Sequence, residues 1–238
     1  MLFSFSIFGF GAFFVNIFLF PCAKLFLKDK KLLYFYSDTI HFTWRFFLRF
    51  IMFLGLIKLD IKDKSKIQSI KNKIIVATHP SFIDILILIA LIPRTTCIVK
   101  SNLSKNIFLN NIINSVFILE DESIEDLKTH SKKMIENGFN IIIFPSGIRH
   151  RRNEFPKMRK GASTIAMYVN VDIECLKFYT DYDFLFINQP IYQAGSKPVT
   201  YELSYSGNID ISQELEKSEN DIVIKRNITN LITKFLYE

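Results

Sequence analysis

The stretch VATHPSFIDILILIALIP, Val76 to Pro93, decides how this chain is read. It is a nearly unbroken apolar run that needs neither His79 nor Asp84 to serve as core. Residues 73–78 (KIIVAT) form a short β-rich run, and residues 82–92 have the composition of an apolar helix. A strand giving way to a helix puts both polar side chains at the junction. On one continuous helix, positions five apart diverge by about 140° and do not meet. They meet only if His79 lies in the turn and Asp84 in the first helical turn. Pro80 fits that geometry, because proline suits the start of a helix and cannot extend a strand ladder.

Working outward, β and α patterns alternate. Strands are expected at 95–100, 115–119 and 140–144, and helices at about 103–113, 122–138 and 158–169, with Gly138 at the C′ position of the second. Further strands are expected at 172–179, 184–192 and 199–206, then a C-terminal amphipathic helix at about 220–236. This alternation predicts an α/β fold: one mixed sheet flanked by helices, with ligand sites at the carboxyl ends of strands.

Composition narrows the function classes. The 238 residues suffice for one domain with a sizeable core, and 49% are hydrophobic with mean hydropathy +0.20. The net charge is +7, yet Lys and Arg are scattered among apolar segments. Basic plus apolar fits an anionic membrane surface rather than a nucleic acid. Cys22, Cys97 and Cys175 show no CxxC spacing and no neighbouring His, which predicts reduced thiols in a cytosol-facing protein. No His/Cys/Asp/Glu cluster has metal-ligand spacing, so no metal is expected.

Residues 1–23 (MLFSFSIFGFGAFFVNIFLFPCA) carry no charged side chain. As helix they would run about 35 Å, enough to cross a hydrocarbon core. Lys24, Lys28, Lys30 and Lys31 follow and would hold the downstream chain on the cytoplasmic side. Gly9, Gly11, Asn16 and Pro21 interrupt the pattern, and a helix pair dipping into one leaflet competes with a full span. Residues 41–57 form a second aromatic segment, with Arg45 and Arg49 four apart among Phe42, Phe46, Phe50 and Phe53. It reads as an interfacial helix or as an amphipathic helix covering the sheet. The polar stretch 59–73 then separates residues 1–58, the membrane-binding helices, from the domain at 59–238.

Two motifs carry chemistry. In THPSFID a carboxylate at Asp84 can hold one imidazole nitrogen of His79 while the other takes a proton from a substrate hydroxyl. The structural alternative is that Ser81 to Asp84 is an S-x-x-D capping box. In NIIIFPSGIRHRR (140–152) an Ile-rich strand runs into Phe144, Pro145, Ser146 and Gly147, then Arg149, His150, Arg151 and Arg152. Gly147 lets the backbone pass close to a ligand, and the arginines suit a phosphate. A loop of solvated charge is the alternative.

In order and spacing these motifs resemble the lysophospholipid acyltransferase family, the glycerol-phosphate and lysophosphatidic acid acyltransferases. His79 and Asp84 match its H-x-x-x-x-D block. Phe144, Pro145, Gly147 and Arg149 match its F-P-E-G-T-R block. Residues 98–110 are similar to its intermediate segment, with Lys100 at the lysine position, and 159–178 to the segment where Lys160 and Gly161 precede a helix and a strand. The resemblance covers roughly residues 73–180. It implies an α/β acyltransferase domain with N-terminal membrane-associating helices. His79 is then the general base, Asp84 orients it, and Arg149 and the residues around it bind substrate. The co-substrate is acyl-CoA or acyl carrier protein, with no cofactor; the partners are membrane lipids and not nucleic acid. Ser146 stands where the family has glutamate and Ile148 where it has threonine. That departure leaves open a different lysolipid or lipid intermediate as acceptor, or a non-catalytic membrane-binding paralogue.

Overall fold

The computed structural model describes residues 2–107, 109–120, 123–151, 154–186, 189 and 197–238. Its centre is a seven-stranded sheet in the order β1-β7-β6-β2-β5-β3-β4. These strands are β1 (Ile57–Ile61), β2 (Ile74–Ala77), β3 (Thr95–Val99), β4 (Ile118–Leu119), β5 (Asn140–Ile143), β6 (Ile173–Thr180) and β7 (Val199–Ile209). β2 runs parallel to both β5 and β6, while β7 is antiparallel to β6 and parallel to β1. The mixed direction is as the sequence predicts. IIVA in β2 and NIII in β5 are buried at every position, because both faces are covered by helices. This explains their apolar composition apart from Asn140, whose amide pairs with Lys73 N–H and the Ile70 carbonyl.

The covering helices follow from local signals. α5 (Asp84–Leu91) lies between β2 and β3, and α7 (Ile124–Glu136) begins at the Ser123 cap, whose side chain accepts from Asp126 N–H. α7 ends as predicted at Gly138 (φ 86°). There Gly138 N–H bonds Ile135 O at 2.8 Å and Phe139 N–H bonds Met134 O at 3.0 Å, the paired bonds of a glycine-terminated helix. α8 (Gly161–Val169) and α10 (Asp221–Tyr237) pack together, and α5 packs on α3 (Asp29–Phe53).

Four expectations need correcting. The helix expected at 103–113 is instead a helical turn at Ser101–Lys105 and a helix at Asn110–Val116, which shortens the strand expected at 115–119 to Ile118–Leu119. The polar stretch 59–73 does not merely separate two regions: it completes edge strand β1 and carries helix α4 (Lys64–Gln68). In β1 the apolar residues point inward and Lys58 and Asp60 outward, as suits an edge strand. Residues 184–186, expected to start a strand, are not strand; 187, 188 and 190–192 of that expected strand lie outside the described residues. Helix α9 (Ile211–Glu216) was not expected.

The apolar N-terminus forms one continuous helix, Leu2–Phe26, made of α1 (Leu2–Phe14), a π-helical segment at Val15–Leu19 and α2 (Phe20–Phe26). The wider turn lets buried Asn16 reach out of the helix to α6 (Asn110–Val116). Its amide donates to Ile107 O and Asn110 Oδ1, and its Oδ1 accepts from Asn111 N–H at 2.8 Å and Ile112 N–H at 3.2 Å. Asn16 thus satisfies two backbone donors at the start of α6. The helix then turns back into α3, where Tyr36 stacks on Phe20 and donates to its carbonyl at 3.0 Å. Phe3, Phe10, Phe14, Phe26, Phe42, Phe46 and Phe53 remain exposed, and Arg45 and Arg49 share their face on α3.

Candidate active site

The connections from β2 and β5 define the site. β2 crosses through α5 to β3 in one direction along the sheet, while β5 crosses through α8 to β6 in the other. Right-handed crossovers of opposite direction place their helices on opposite faces. The carboxyl ends of these adjacent strands therefore open a crevice at a topological switch point. His79 follows β2, and Phe144 to His150 follow β5.

The turn between β2 and α5 has the predicted geometry. His79 Nδ1–H donates to Asp84 Oδ2 at 3.0 Å. The same oxygen accepts from Ser81 N–H at 2.8 Å, and Ser81 Oγ accepts from Ile83 N–H at 3.3 Å. The carboxylate oxygen that holds the imidazole thus also takes the Ser81 N–H and fixes the turn before α5. The reciprocal bond of a capping box is not made: Ser81 Oγ accepts from Ile83, not Asp84, and the N-cap residue Ile83 makes no side-chain cap. Asp84 is fully buried, and its other oxygen, Oδ1, has no hydrogen-bond partner among the described residues. Burial pushes its carboxyl above the ordinary range; the bonds from His79 and Ser81 oppose that. With Nδ1 as donor, His79 Nε2 is left as the basic nitrogen, and the ring stacks on Phe144 at 3.9 Å.

The β5 motif closes over this turn. Gly147 sits at φ 69° and donates its N–H to Phe144 O at 2.9 Å, making a tight bend. A Cβ at Gly147 would lie 2.6 Å from Arg159 Cζ, so only glycine lets that guanidinium lie flat on the loop. Arg159 is held there by Glu120 at 2.9 Å and by its own N–H to Pro145 O. Ser146 is buried, and its hydroxyl donates to Ile148 O at 2.7 Å. Arg149 is half-buried beneath segment 181–186 and donates from Nη1 to Leu185 O at 2.7 Å. Burial lowers its pKa and the Asp84 carboxylate raises it. The Leu185 carbonyl also takes Phe82 N–H at 3.3 Å, with Leu185 itself at φ 49°.

Of the predicted residues, His79, Asp84, Phe144, Pro145, Ser146, Gly147 and Arg149 converge on this crevice. Lys100, Lys160 and Gly161 are exposed at the starts of the Ser101–Lys105 turn and of α8, and no hydrogen bond or ring contact ties them to His79 or Arg149 among the described residues. Arg152 lies outside the described residues. Sequence reasoning missed the 181–186 segment, whose grip on Arg149 is a backbone contact 36 residues away with no local signature.

The family model described as Acyltransferase matches residues 58–176. This chain belongs to the acyltransferase family. No curated protein sequence matches it. The solved structure of the 1-acyl-sn-glycerophosphate (LPA) acyltransferase PlsC from Thermotoga maritima has the same fold, with a TM-score of 0.69 over 98% of this chain and 94% of that one. Its sequence is 16% identical, and the likeness is one of fold. The acyltransferase fold and family expected from the two motifs are thus as found.

Proposed function

We propose that this acyltransferase moves a fatty acyl group from acyl-CoA or acyl carrier protein to the hydroxyl of a lysophosphatidic acid-like acceptor at a membrane surface. One observation carries the reading: a buried carboxylate holds His79 Nδ1–H and leaves Nε2 basic, in the crevice that Arg149 also enters. His79 Nε2 takes the proton of the acceptor hydroxyl as the hydroxyl oxygen attacks the thioester carbonyl carbon. The carbon–sulfur bond then breaks, and the imidazolium returns its proton to the departing thiolate. Asp84 stabilises the imidazolium between these steps. The substrate supplies the nucleophile, so no serine of the chain is acylated. Arg149 binds the acceptor phosphate, exchanging the Leu185 carbonyl for a charged partner.

The exposed phenylalanines of the first helix and α3 supply the membrane contact, with Arg45 and Arg49 at the lipid phosphates. Asn16 caps α6 of the catalytic domain from the middle of the 25-residue helix, which favours a helix pair lying on one leaflet over a span. The lysines after residue 23 favour the cytoplasmic leaflet.

A second acceptor class has its own observation. The Ser146 hydroxyl is consumed by the Ile148 carbonyl, and Ile148 presents an exposed apolar side chain. Neither offers the polar groups of the family's glutamate and threonine, which favours a lysolipid with a different head group. The test is a panel of labelled acyl transfers from acyl-CoA and acyl carrier protein to lysophosphatidic acid, other lysophospholipids and monoacylglycerol. Preference for phosphate-bearing acceptors that disappears in Arg149→Ala supports the reading; equal use of monoacylglycerol refutes Arg149's role.

A further inference from the structure

We propose that His150 is a positioning residue for acyl transfer: it fixes the backbone of the His79 turn, and Tyr237 at the end of α10 fixes His150. The inference rests on the functional reading above. His150 N–H donates to His79 O at 3.1 Å, and His79 N–H donates back to His150 Nε2 at 3.4 Å. Tyr237 Oη–H meets the same Nε2 at 2.9 Å. His150 Nδ1 faces the Arg151 carbonyl at 3.1 Å and must carry the proton, since a carbonyl only accepts. Nε2 is therefore bare, and one ring atom receives both donors.

The neighbours of His79 show why this pair matters. Thr78 is tied to β6 through its N–H to Leu176 O and its hydroxyl to Phe178 O. Ser81 is tied to Asp84. Pro80 has no N–H to give. Between these anchors, both backbone polar groups of His79 find their partner in His150 alone among the described residues. Asp84 and Phe144 set the ring of His79; His150 sets the main chain from which that ring projects. His150 is itself only 5% exposed. Burial, the dominant effect, lowers its pKa, and the neighbouring His79 acts the same way, while Asp84, Glu154 and the Arg151 carbonyl act against it. A protonated ring would turn Nε2 into a donor, breaking the contact from His79 N–H and reversing the one with Tyr237, whose hydroxyl would then accept. Beyond the clamp lies a cavity of about 310 Å³, bounded also by Pro80, Lys177, Glu202 and Leu236, where water can replace a truncated side chain.

The experiment compares full-length wild type, His150→Ala, His150→Gln and Tyr237→Phe, assayed well below their melting temperatures. His150→Ala is expected to lower kcat about 30-fold and Tyr237→Phe about fivefold, with KM for donor and acceptor unchanged. His150→Gln, whose side-chain oxygen can accept in place of Nε2, is expected to recover most of the loss. A second readout needs no turnover: carbethoxylation of His79, followed by mass spectrometry, should run about threefold faster in His150→Ala as the turn loosens. Values of kcat within twofold of wild type in both truncations, or a loss confined to KM, would overturn the proposal. If the wild type itself transfers to no acceptor, the functional reading fails separately. The labelling rate then decides: unchanged labelling of His79 rejects the clamp, and faster labelling supports it.

Discussion

Replacing Asp84 with asparagine should separate the two tasks of one carboxylate. Asparagine has the same shape, and its oxygen can accept from both Ser81 N–H and His79 Nδ1–H, the two donors that Asp84 Oδ2 now receives. Its amide nitrogen would occupy the place of Oδ1, which already lacks a partner. Stability therefore changes by two opposed effects. Two charge-assisted bonds become neutral ones, each weaker by about 1 kcal/mol, while the cost of burying a charge disappears. The net is expected within about 1 kcal/mol, or about 4 °C in Tm for a chain of this size. Catalysis loses the charge that faces the imidazolium. With Nδ1 and Oδ2 3.0 Å apart and charge centres about 4 Å apart, an effective dielectric near 20 gives about 4 kcal/mol, roughly 10³-fold in kcat. Differential scanning fluorimetry and steady-state transfer on the same preparation check both numbers. The sign of the pH effect follows from the raised carboxyl: the fold binds this proton more tightly than the unfolded chain does. The associated stability is present below the ordinary carboxylate range and lost as pH rises through the folded value, a dependence Asp84→Asn should lack. A variant with kcat within tenfold of wild type would refute the electrostatic role.

Other expectations can be checked with the same preparations. Gly147→Ala places a methyl 2.6 Å from Arg159 Cζ at φ 69°, so it should lower Tm by several degrees and cut transfer by about tenfold or more as Arg159 leaves Glu120. Arg149→Lys loses the planar fork and should raise KM for a phosphate-bearing acceptor about 10-fold with kcat nearly unchanged. Neutral, buried His150 has a pKa below the ordinary histidine value. The unfolded chain therefore binds its proton first as pH falls through about 6.5, and stability should drop there; melting curves between pH 7.5 and 5 should show the fall, flattened in His150→Gln. Gly207→Ala would drive a methyl to 2.3 Å from the Phe235 ring, and the shift of α10 should appear as a lower Tm.

Much of the sheet was legible because its central strands are buried on both faces and are apolar, as IIVA and the III of NIII are, with buried Asn140 satisfied by Lys73 N–H and the Ile70 carbonyl. The His79–Asp84 meeting was legible because Pro80 excludes a continuous helix. Edge strand β1 was overlooked because Lys58 and Asp60 alternate with its apolar residues and read as a polar connector, although period-two alternation was present. Helix α9 also left a signal: Asp210 caps it by accepting from Gln213 N–H at 3.0 Å, a D-x-x-Q box. Residues 184–186 could not be read in this way. Leu185 adopts φ 49° with no glycine to announce it, held by Arg149 and Phe82 from elsewhere in the chain. His150 was visible only as part of an arginine-rich run, since its partners His79 and Tyr237 stand 71 and 87 residues away. Local patterns expose what a segment does for itself, and these contacts are made by the tertiary fold.

The most direct test of the central claim is single-turnover acyl transfer by membranes carrying wild type or His79→Ala, with labelled acyl-CoA or acyl carrier protein and lysophosphatidic acid. Transfer by the wild type that falls by about 10³-fold in His79→Ala, with protein level and Tm preserved, is the predicted result. Equal transfer by both proteins would contradict the assignment of His79 as the base, and with it the mechanism built on the Asp84 pair.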